Sequence, residues 1–232
     1  ETHTTLNLKR LGDRLLGEQE LTNGLIKLQK VGEQRLYFVV GHGEFPLEPV
    51  GEGEDAKAGS LITIKRVLED EGYAPQPLNL VERGEIPLDA SAVVIAGARS
   101  LFSENEKKLL GLYLDQGGRL LYFAEVQAEA GLDELLASYG AQIEPWLVAD
   151  SKVNPEQPYI VYTPFLGEHE TTRLLHKEQQ NVVFATARAI TLLKQGTQPD
   201  LTVAPLVLTT PYAWVESSLS KNPQVDPGER SG

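Results

Sequence analysis

The stretch RLYFVVGHGE, residues 35–44, decides the fold of this chain. Residues 35–40 form a continuous apolar run rich in aromatic and β-branched side chains, which is typical of a buried parallel strand. The run ends abruptly at GHGE, residues 41–44. The stretch therefore predicts a strand that leaves the sheet through a short polar loop.

Three more strands are expected further along the chain. They are predicted at Gln76–Leu80, at Ala92–Ala96 before Gly97, and at Arg119–Ala124. Helical patterns separate them, and strand-helix units with short connections imply a parallel sheet covered by helices on both faces. We therefore expect an α/β fold with a doubly wound, mostly parallel sheet. The strands at 35–40, 92–96 and 119–124 should lie side by side in it.

Capping residues mark two of the intervening helices. Ser103 and Glu106 have the spacing of a capping box, in which each side chain accepts a free N–H of the first turn. This box predicts a helix that runs to residue 116. Ser60 is expected to cap another helix that ends near Gly72. The apolar face of that helix is predicted to consist of Leu61, Ile64 and Leu68.

The segment 44–59 separates the first strand from the helix at Ser60. It contains Pro46, Pro49, Gly51, Gly53 and a cluster of acidic residues, so it cannot form a regular ladder or helix. We expect an exposed loop that is among the most mobile parts of the chain.

The second half of the chain has a different pattern. A short helix at 132–139 is followed by strands at 159–163, 182–187 and 204–209, with one brief helical stretch at 171–176. This part is richer in strands than the first. The expectation is that these strands complete the same sheet.

Three segments are distinguished along the chain. Residues 1–32 are an amphipathic lead-in, residues 33–220 are the α/β domain, and residues 221–232 are a tail or a truncated element. The lead-in is expected to be helical, because Leu21, Leu25 and Leu28 fall on one helix face. The chain contains no methionine, so we expect it to be processed or excised from a longer protein.

Composition excludes several classes of function. The chain has 33 acidic and 21 basic residues and a net charge of −12, so a nucleic acid would be repelled. The absence of cysteine excludes thiolate catalysis and disulfides. No phosphate-binding loop and no dinucleotide fingerprint occurs, and no cofactor is expected. The longest apolar runs are far shorter than a membrane span.

The stretch YFVVGHGE, residues 37–44, resembles the opening of the auxiliary domain of GldG-type ABC transport proteins. Further stretches agree in the same order: 72–73 with 78–80, 86–87 with 92–97, 117–121, 169–174, 184–188, and 206–210 with 213–214. The likeness covers about residues 20 to 220 in one register, which is more specific than any four-residue motif.

The resemblance implies a fold akin to class I glutamine amidotransferases and flavodoxin-like proteins. It implies a non-catalytic domain on the extracytoplasmic, periplasmic face of a bacterial membrane, anchored by segments outside this chain. The implied partners are an ABC permease and an ATPase. The implied role is protein interaction or the sensing of a small ligand that the sequence does not identify.

Candidate binding residues follow from the position of the predicted strand ends. Ligands of open parallel sheets bind beyond the carboxyl ends of the strands, near the point where strand order reverses. Seven residues lie in the loops at these ends: Gly41, His42, Gly43, Glu44, Arg99, Ser100 and Glu125. They are candidates for a ligand cleft. In the alternative reading, the two glycines only allow the backbone turn and the imidazole only bonds within it.

Catalysis and metal binding find less support in the same residues. An amidotransferase needs a cysteine, and a serine hydrolase of this fold needs a G-x-S-x-G elbow, which does not occur. His42 and Glu44 supply at most two metal ligands, so no metal site is predicted. The remaining alternative is a hydrolase for a small ester or glycoside with a cleft at His42, Glu44 and Glu125.

Overall fold

The structure is a computed structural model that describes residues 34–126, 128–163, 165–193, 201–217 and 223. The chain divides into two compact units, an N-terminal unit that extends to Glu125 and a C-terminal unit that begins at Val126. The predicted lead-in at 1–32 lies outside the described residues, as does the tail at 221–232 apart from Pro223. None of the helices in the described part is long and apolar enough to cross a membrane.

The N-terminal unit contains a parallel sheet of four strands. These are β1 (Gln34–Val39), β2 (Tyr73–Leu78), β3 (Ala90–Ala96) and β4 (Leu120–Phe123). Their order is β2-β1-β3-β4, and every neighbouring pair is parallel. The predicted α/β class and the parallel arrangement of β1, β3 and β4 are therefore confirmed.

Side chains alternate between the two faces of this sheet, as the pleat requires. On one face Phe38, Val94 and Ala96 form a core cluster with Leu47. On the other face Val39, Val93 and Ile95 are at most 1% exposed. Burial on both faces explains why β1 and β3 have continuous apolar sequences.

Four helices are described in this unit: α1 (Glu54–Ala58), α2 (Ile62–Asp70), α3 (Leu80–Arg83) and α4 (Glu104–Asp115). The predicted capping box is present at the start of α4, where both reciprocal bonds between Ser103 and Glu106 are formed. Gly72, with φ of +84°, follows the end of α2 in the left-handed conformation expected of it.

Several local predictions for the segment 44–80 were wrong. Leu61, not Ser60, is the N-cap residue of α2, because the Ser60 hydroxyl donates to the carbonyl of Lys57. Leu61 and Leu68 pack against the core cluster, but Ile64 is 51% exposed. The strand β2 begins and ends earlier than the predicted 76–80. It ends at Leu78 because Asn79 accepts the N–H groups of residues 81 and 82 and thereby starts α3.

The segment 44–59 is only partly an exposed loop. Its Leu47 is buried in the core cluster, and α1 occupies residues 54–58. The N–H of Phe45 donates to the carbonyl of Ala96 at 2.9 Å, and the N–H of Leu61 donates to the carbonyl of Pro46 at 2.8 Å. These bonds fasten the start of the segment to the sheet. The mobility of the remainder stays a prediction.

The strand β4 is less buried than predicted. Its Leu121 is 46% exposed and its Phe123 is 60% exposed. Both lie on the same face, because side chains two positions apart in a strand share a face. Among the described strands β4 is at the edge of the sheet, which explains why an apolar sequence did not imply complete burial.

The C-terminal unit has short antiparallel sheets instead of a continuation of the parallel sheet. Its elements are α5 (Asp133–Ser138), β5 (Ala141–Ala149), β6 (Ile160–Thr163), β7 (Phe165–Leu166), α6 (Arg173–Lys177), β8 (Val182–Ala185), β9 (Arg188–Leu192), β10 (Val207–Leu208) and β11 (Trp214–Glu216). The sheets have the orders β11-β5-β9, β6-β8 and β10-β7. The prediction of a strand-rich second part is confirmed, but the prediction that it completes the same sheet was wrong.

A buried aspartate fixes the turn after β5. Asp150 is 0% exposed. Its Oδ1 accepts the N–H groups of Lys152 and Val153 at 3.1 and 3.0 Å, and its Oδ2 accepts the hydroxyl of Thr210. Neutral donors from two chain segments therefore surround this carboxylate, which ties the turn to the segment before β11.

Candidate functional site

The predicted site residues lie at the carboxyl edge of the four-stranded sheet. His42 and Glu44 follow β1, Arg99 and Ser100 follow β3, and Glu125 follows β4. With the order β2-β1-β3-β4, the direction of strand addition reverses between β1 and β3. Sheets of this order bind ligands at that point. The structure thus places the predicted residues where the fold class has its usual binding position.

His42 is held between two carboxylates. Its Nδ1 lies 3.2 Å from Oε1 of Glu44, and its Nε2 lies 3.2 and 3.3 Å from the two carboxylate oxygens of Glu106. The backbone N–H of His42 also donates to Glu44, at 2.7 Å. Only a doubly protonated imidazolium can donate to both carboxylates at once. We call these three residues, His42, Glu44 and Glu106, the histidine latch.

The latch is closed to solvent. The side chains of His42, Glu44 and Glu106 are 9%, 1% and 3% exposed. The imidazole stacks on the ring of Phe102, with 3.9 Å between the centroids and 12° between the planes. Burial and stacking fix the imidazole in one orientation, so its two nitrogens are directed at protein carboxylates.

Glu106 is the site residue that sequence reasoning missed. The capping box identified its position at the start of α4, but the box alone does not reveal that its carboxylate also meets His42. Its Oε2 accepts the N–H and the hydroxyl of Ser103, at 2.9 and 2.7 Å. Burial raises the pKa of Glu106, but the bonds from Ser103 and the nearby imidazole outweigh burial and leave the pKa below its ordinary value.

The latch also joins two loops through the backbone. The carbonyl of His42 accepts the N–H of Arg99 at 2.7 Å and the N–H of Ser100 at 3.1 Å. The turn that directs this carbonyl toward the second loop requires unusual backbone angles, with φ of +121° at Gly41 and +80° at Gly43. Both glycines are therefore needed for the backbone, as the alternative reading of the motif expected.

Arg99 lies on a platform formed by Phe45 and Gly97. Its guanidinium carbon is 4.9 Å from the centroid of the Phe45 ring. A Cβ atom on Gly97 would be 2.6 Å from that ring and 3.2 Å from Oε2 of Glu125, so only glycine leaves room for this arrangement. Nη2 of Arg99 donates to the same oxygen of Glu125 at 3.4 Å. The Arg99 side chain remains 55% exposed.

The site thus separates into a buried part and an accessible part. The structure brings His42 and Glu44 together with Glu106, and it brings Arg99 together with Glu125. A general base must reach a substrate proton, and the two nitrogens of His42 are already engaged by carboxylates. The exposed guanidinium is suited to binding an anionic group. Within the described ranges, no group of three or more histidine, aspartate or glutamate side chains is arranged so that it could hold a metal ion.

A separate groove opens on the surface near α1 and α2. It has a volume of ≈ 450 Å³ and is lined by Glu48, Pro49, Glu54, Lys57, Ala58, Ile62, Thr63 and Arg66. None of the predicted site residues lines it. Because its position is unrelated to the strand ends, we assign the candidate site to the carboxyl edge of the sheet.

Comparison with known proteins supports this description of the fold. A family model described as an ABC-type uncharacterized transport system matches residues 33–231. Among solved structures, the mmIFT52 N-terminal domain is similar, with a TM-score of 0.57 and 16% sequence identity over 79% of this chain and 80% of that one. At that identity the similarity concerns the fold alone. No match was found among curated proteins.

Proposed function

The chain belongs to the family of ABC-type uncharacterized transport systems, and from this premise we propose that it is a GldG-type auxiliary domain that acts by binding. The family assigns it to an auxiliary, transport-associated role. The finer proposal is that the domain is non-catalytic and lies on the extracytoplasmic face of the membrane, anchored by segments outside this chain. Its partners are the permease and ATPase of the transport system.

The observation that carries this proposal is the closed histidine latch. The imidazole and both of its carboxylate partners are at most 9% exposed. A buried imidazole with both nitrogens engaged stabilises loops, whereas an acid/base catalyst has to contact the reacting group. The latch therefore favours a structural role for His42 and Glu44 over the hydrolase alternative.

The binding surface is proposed to be the accessible part of the same edge. Four residues of this edge are exposed, namely Gly41, Gly43, Arg99 and Ser100, whereas His42 between the two glycines is buried. The latch holds the loops after β1 and β3 in fixed positions, through the bonds from the N–H groups of Arg99 and Ser100 to the carbonyl of His42. Fixed loops lose little conformational entropy when a partner binds, which favours recognition.

Copurification of the intact membrane protein tests the proposed partners. The protein is extracted in mild detergent with its own permease and ATPase, and the subunits retained with it are identified. We expect both to be retained. Extraction of the intact protein without either subunit would contradict the proposal.

Turnover assays test the proposed absence of catalysis. The purified chain is expected to hydrolyse none of a panel of esters and glycosides. His42→Ala should change stability or partner binding only. Hydrolysis that is lost in Glu125→Gln would require the binding role to be abandoned in favour of a hydrolase.

A further inference from the structure

We infer that Arg99 is the residue through which the domain contacts its partner, and that a carboxylate of an aspartate or glutamate side chain of the partner protein replaces Glu125 on its guanidinium. This inference rests on the proposed function, because it names the chemistry of the surface that docks on the carboxyl edge.

The base of the Arg99 side chain is fixed while its charged head is accessible. Its backbone N–H donates to the backbone carbonyl of His42 at 2.7 Å, and its guanidinium carbon lies 4.9 Å from the centroid of the Phe45 ring. Phe45 in turn occupies the space above Gly97, where a Cβ atom would be 2.6 Å from the ring. Stacking on an aromatic ring orders the guanidinium without consuming its N–H donors.

The bond to Glu125 uses little of the capacity of this guanidinium. A guanidinium has five N–H donors in a planar fork that matches a carboxylate with two parallel bonds. The contact from Nη2 of Arg99 to Oε2 of Glu125 measures 3.4 Å, whereas charge-assisted bonds between nitrogen and carboxylate oxygen are usually about 2.7–2.9 Å. Ion pairs this exposed contribute little to stability. An incoming carboxylate with better geometry can therefore displace Glu125.

Local charge favours a carboxylate as the incoming group. Glu44 and Glu106 face His42 and are 1% and 3% exposed, and the exposed Glu104 at the start of α4 is paired with Lys107 at 2.8 Å. Arg99 is instead presented to solvent, with the 65% exposed Leu101 two residues further on. The chain as a whole carries a charge of −12, so an acidic partner surface is repelled by most orientations of the domain. Complementary charge at Arg99 then selects one orientation, which is how charged groups give interfaces their specificity.

The test compares copurification of permease and ATPase by the intact protein at increasing salt concentration. Arg99→Gln should reduce the amount retained roughly tenfold or more, since close charge pairs across interfaces are strongly coupled. Glu125→Gln should increase it, because it removes the internal competitor while keeping the shape of the side chain. Arg99→Lys should retain part of the binding, since it keeps the charge but loses the fork.

Arg35→Gln is the matched control. Arg35 forms an ion pair with Asp89, is 38% exposed, and lies at the start of β1, at the opposite end of the same sheet. The control removes the same charge and should leave retention unchanged. Equal unfolding midpoints of the Arg99→Gln and Arg35→Gln chains would show that a loss of binding does not come from misfolding.

The outcomes separate this inference from the function on which it rests. If wild type retains neither subunit, both fail. If wild type retains them and Arg99→Gln does so equally, or if Glu125→Gln loses as much as Arg99→Gln, only the role of Arg99 is overturned.

A second experiment tests whether the site binds a small carboxylic acid instead. Succinate is added to the 232-residue chain alone while the Arg99 side chain is observed by NMR. Saturable binding that disappears in Arg99→Gln would assign the site to a small carboxylic acid and overturn the partner contact.

Discussion

Each of the two units buries a carboxylate after a strand, but the carboxylates have different partners. In the N-terminal unit Glu44 and Glu106 face the imidazole of His42 at 3.2 Å. In the C-terminal unit Asp150 is surrounded by backbone N–H groups and the hydroxyl of Thr210. The first arrangement depends on an imidazole that both carboxylates face, and the second depends on backbone N–H groups and a hydroxyl.

The difference shows what each cluster contributes to its unit. Two of the donors to Asp150 belong to its own turn and the third, Thr210, lies 60 residues further along the chain, so Asp150 fastens the turn after β5 to the segment before β11. An imidazole can face two carboxylates at once, so His42 joins the loop after β1 to the start of α4. The histidine latch therefore supports the exposed edge that carries Arg99, whereas Asp150 joins two segments of the C-terminal unit.

Removal of the shared imidazole should have the largest effect. His42→Ala leaves the buried carboxylates of Glu44 and Glu106 without the ring that both of them face, and leaving buried charged acceptors without a partner costs about 3 kcal/mol or more. The free energy of unfolding is measured by urea titration at pH 7. His176→Ala, on the exposed surface of α6, is the control and should change stability by less than about 0.5 kcal/mol. A loss below about 1 kcal/mol for His42→Ala would mean that the latch is not an energetic unit.

Conversion of each carboxylate to an amide should distinguish the two clusters. Glu106→Gln removes a charge that faces an imidazole, and we expect a loss of about 2 kcal/mol, typical of bonds to charged groups. Asp150→Asn keeps an oxygen for the N–H groups of residues 152 and 153, and the Thr210 hydroxyl can rotate to accept from the new amide. The expected loss there is about 0.5–1 kcal/mol. Equal losses in the same urea titration would remove the distinction between the clusters.

The parallel sheet could be predicted from the sequence because burial on both faces leaves a strong local signal. The runs in β1 and β3 are apolar without interruption, and the capping box at Ser103 is a local pattern that fixes the start of α4. The position of the site followed from the same strands, since the ends of parallel strands meet at one edge. The family resemblance was also confirmed at the level of the transport family.

The remaining features depend on contacts between distant residues and could not be predicted in this way. The strand β5 was missed because Glu144 and Pro145 interrupt its apolar residues, although it pairs with β9 and β11. The latch was missed because 64 residues separate His42 from Glu106 along the chain. Sequence placed His42 and Arg99 in one cleft, but only the structure shows that His42 is closed off while Arg99 is accessible.

The smallest expected effect concerns the acid limit of the histidine latch. The pKa of Glu106 lies below its ordinary value, because the bonds from Ser103 and the nearby imidazole outweigh burial, which acts in the opposite direction. A carboxyl group with a lowered pKa in the folded state stabilises the fold above its unfolded-state pKa, about 4.3 for glutamate, and loses that contribution as the pH falls through the folded-state pKa. The difference in unfolding free energy between wild type and Glu106→Gln should therefore be constant near pH 7 and narrow below about pH 4.3. We expect this narrowing to be smaller than the difference measured near pH 7, because burial raises the pKa of Glu106 and offsets part of the lowering by Ser103 and the imidazole.

Ser103→Ala is the matched variant, because it removes the strongest of the contributions that lower the pKa of Glu106. It should shift the narrowing to higher pH. Urea titrations of wild type, Glu106→Gln, Ser103→Ala and the chain with both substitutions, between neutral and acidic pH, measure the difference with and without Ser103. A difference that stays constant or widens in acid would show that the carboxylate of Glu106 is not held in its charged form by these partners, and the contrast with the neutral surroundings of Asp150 would then lose its basis.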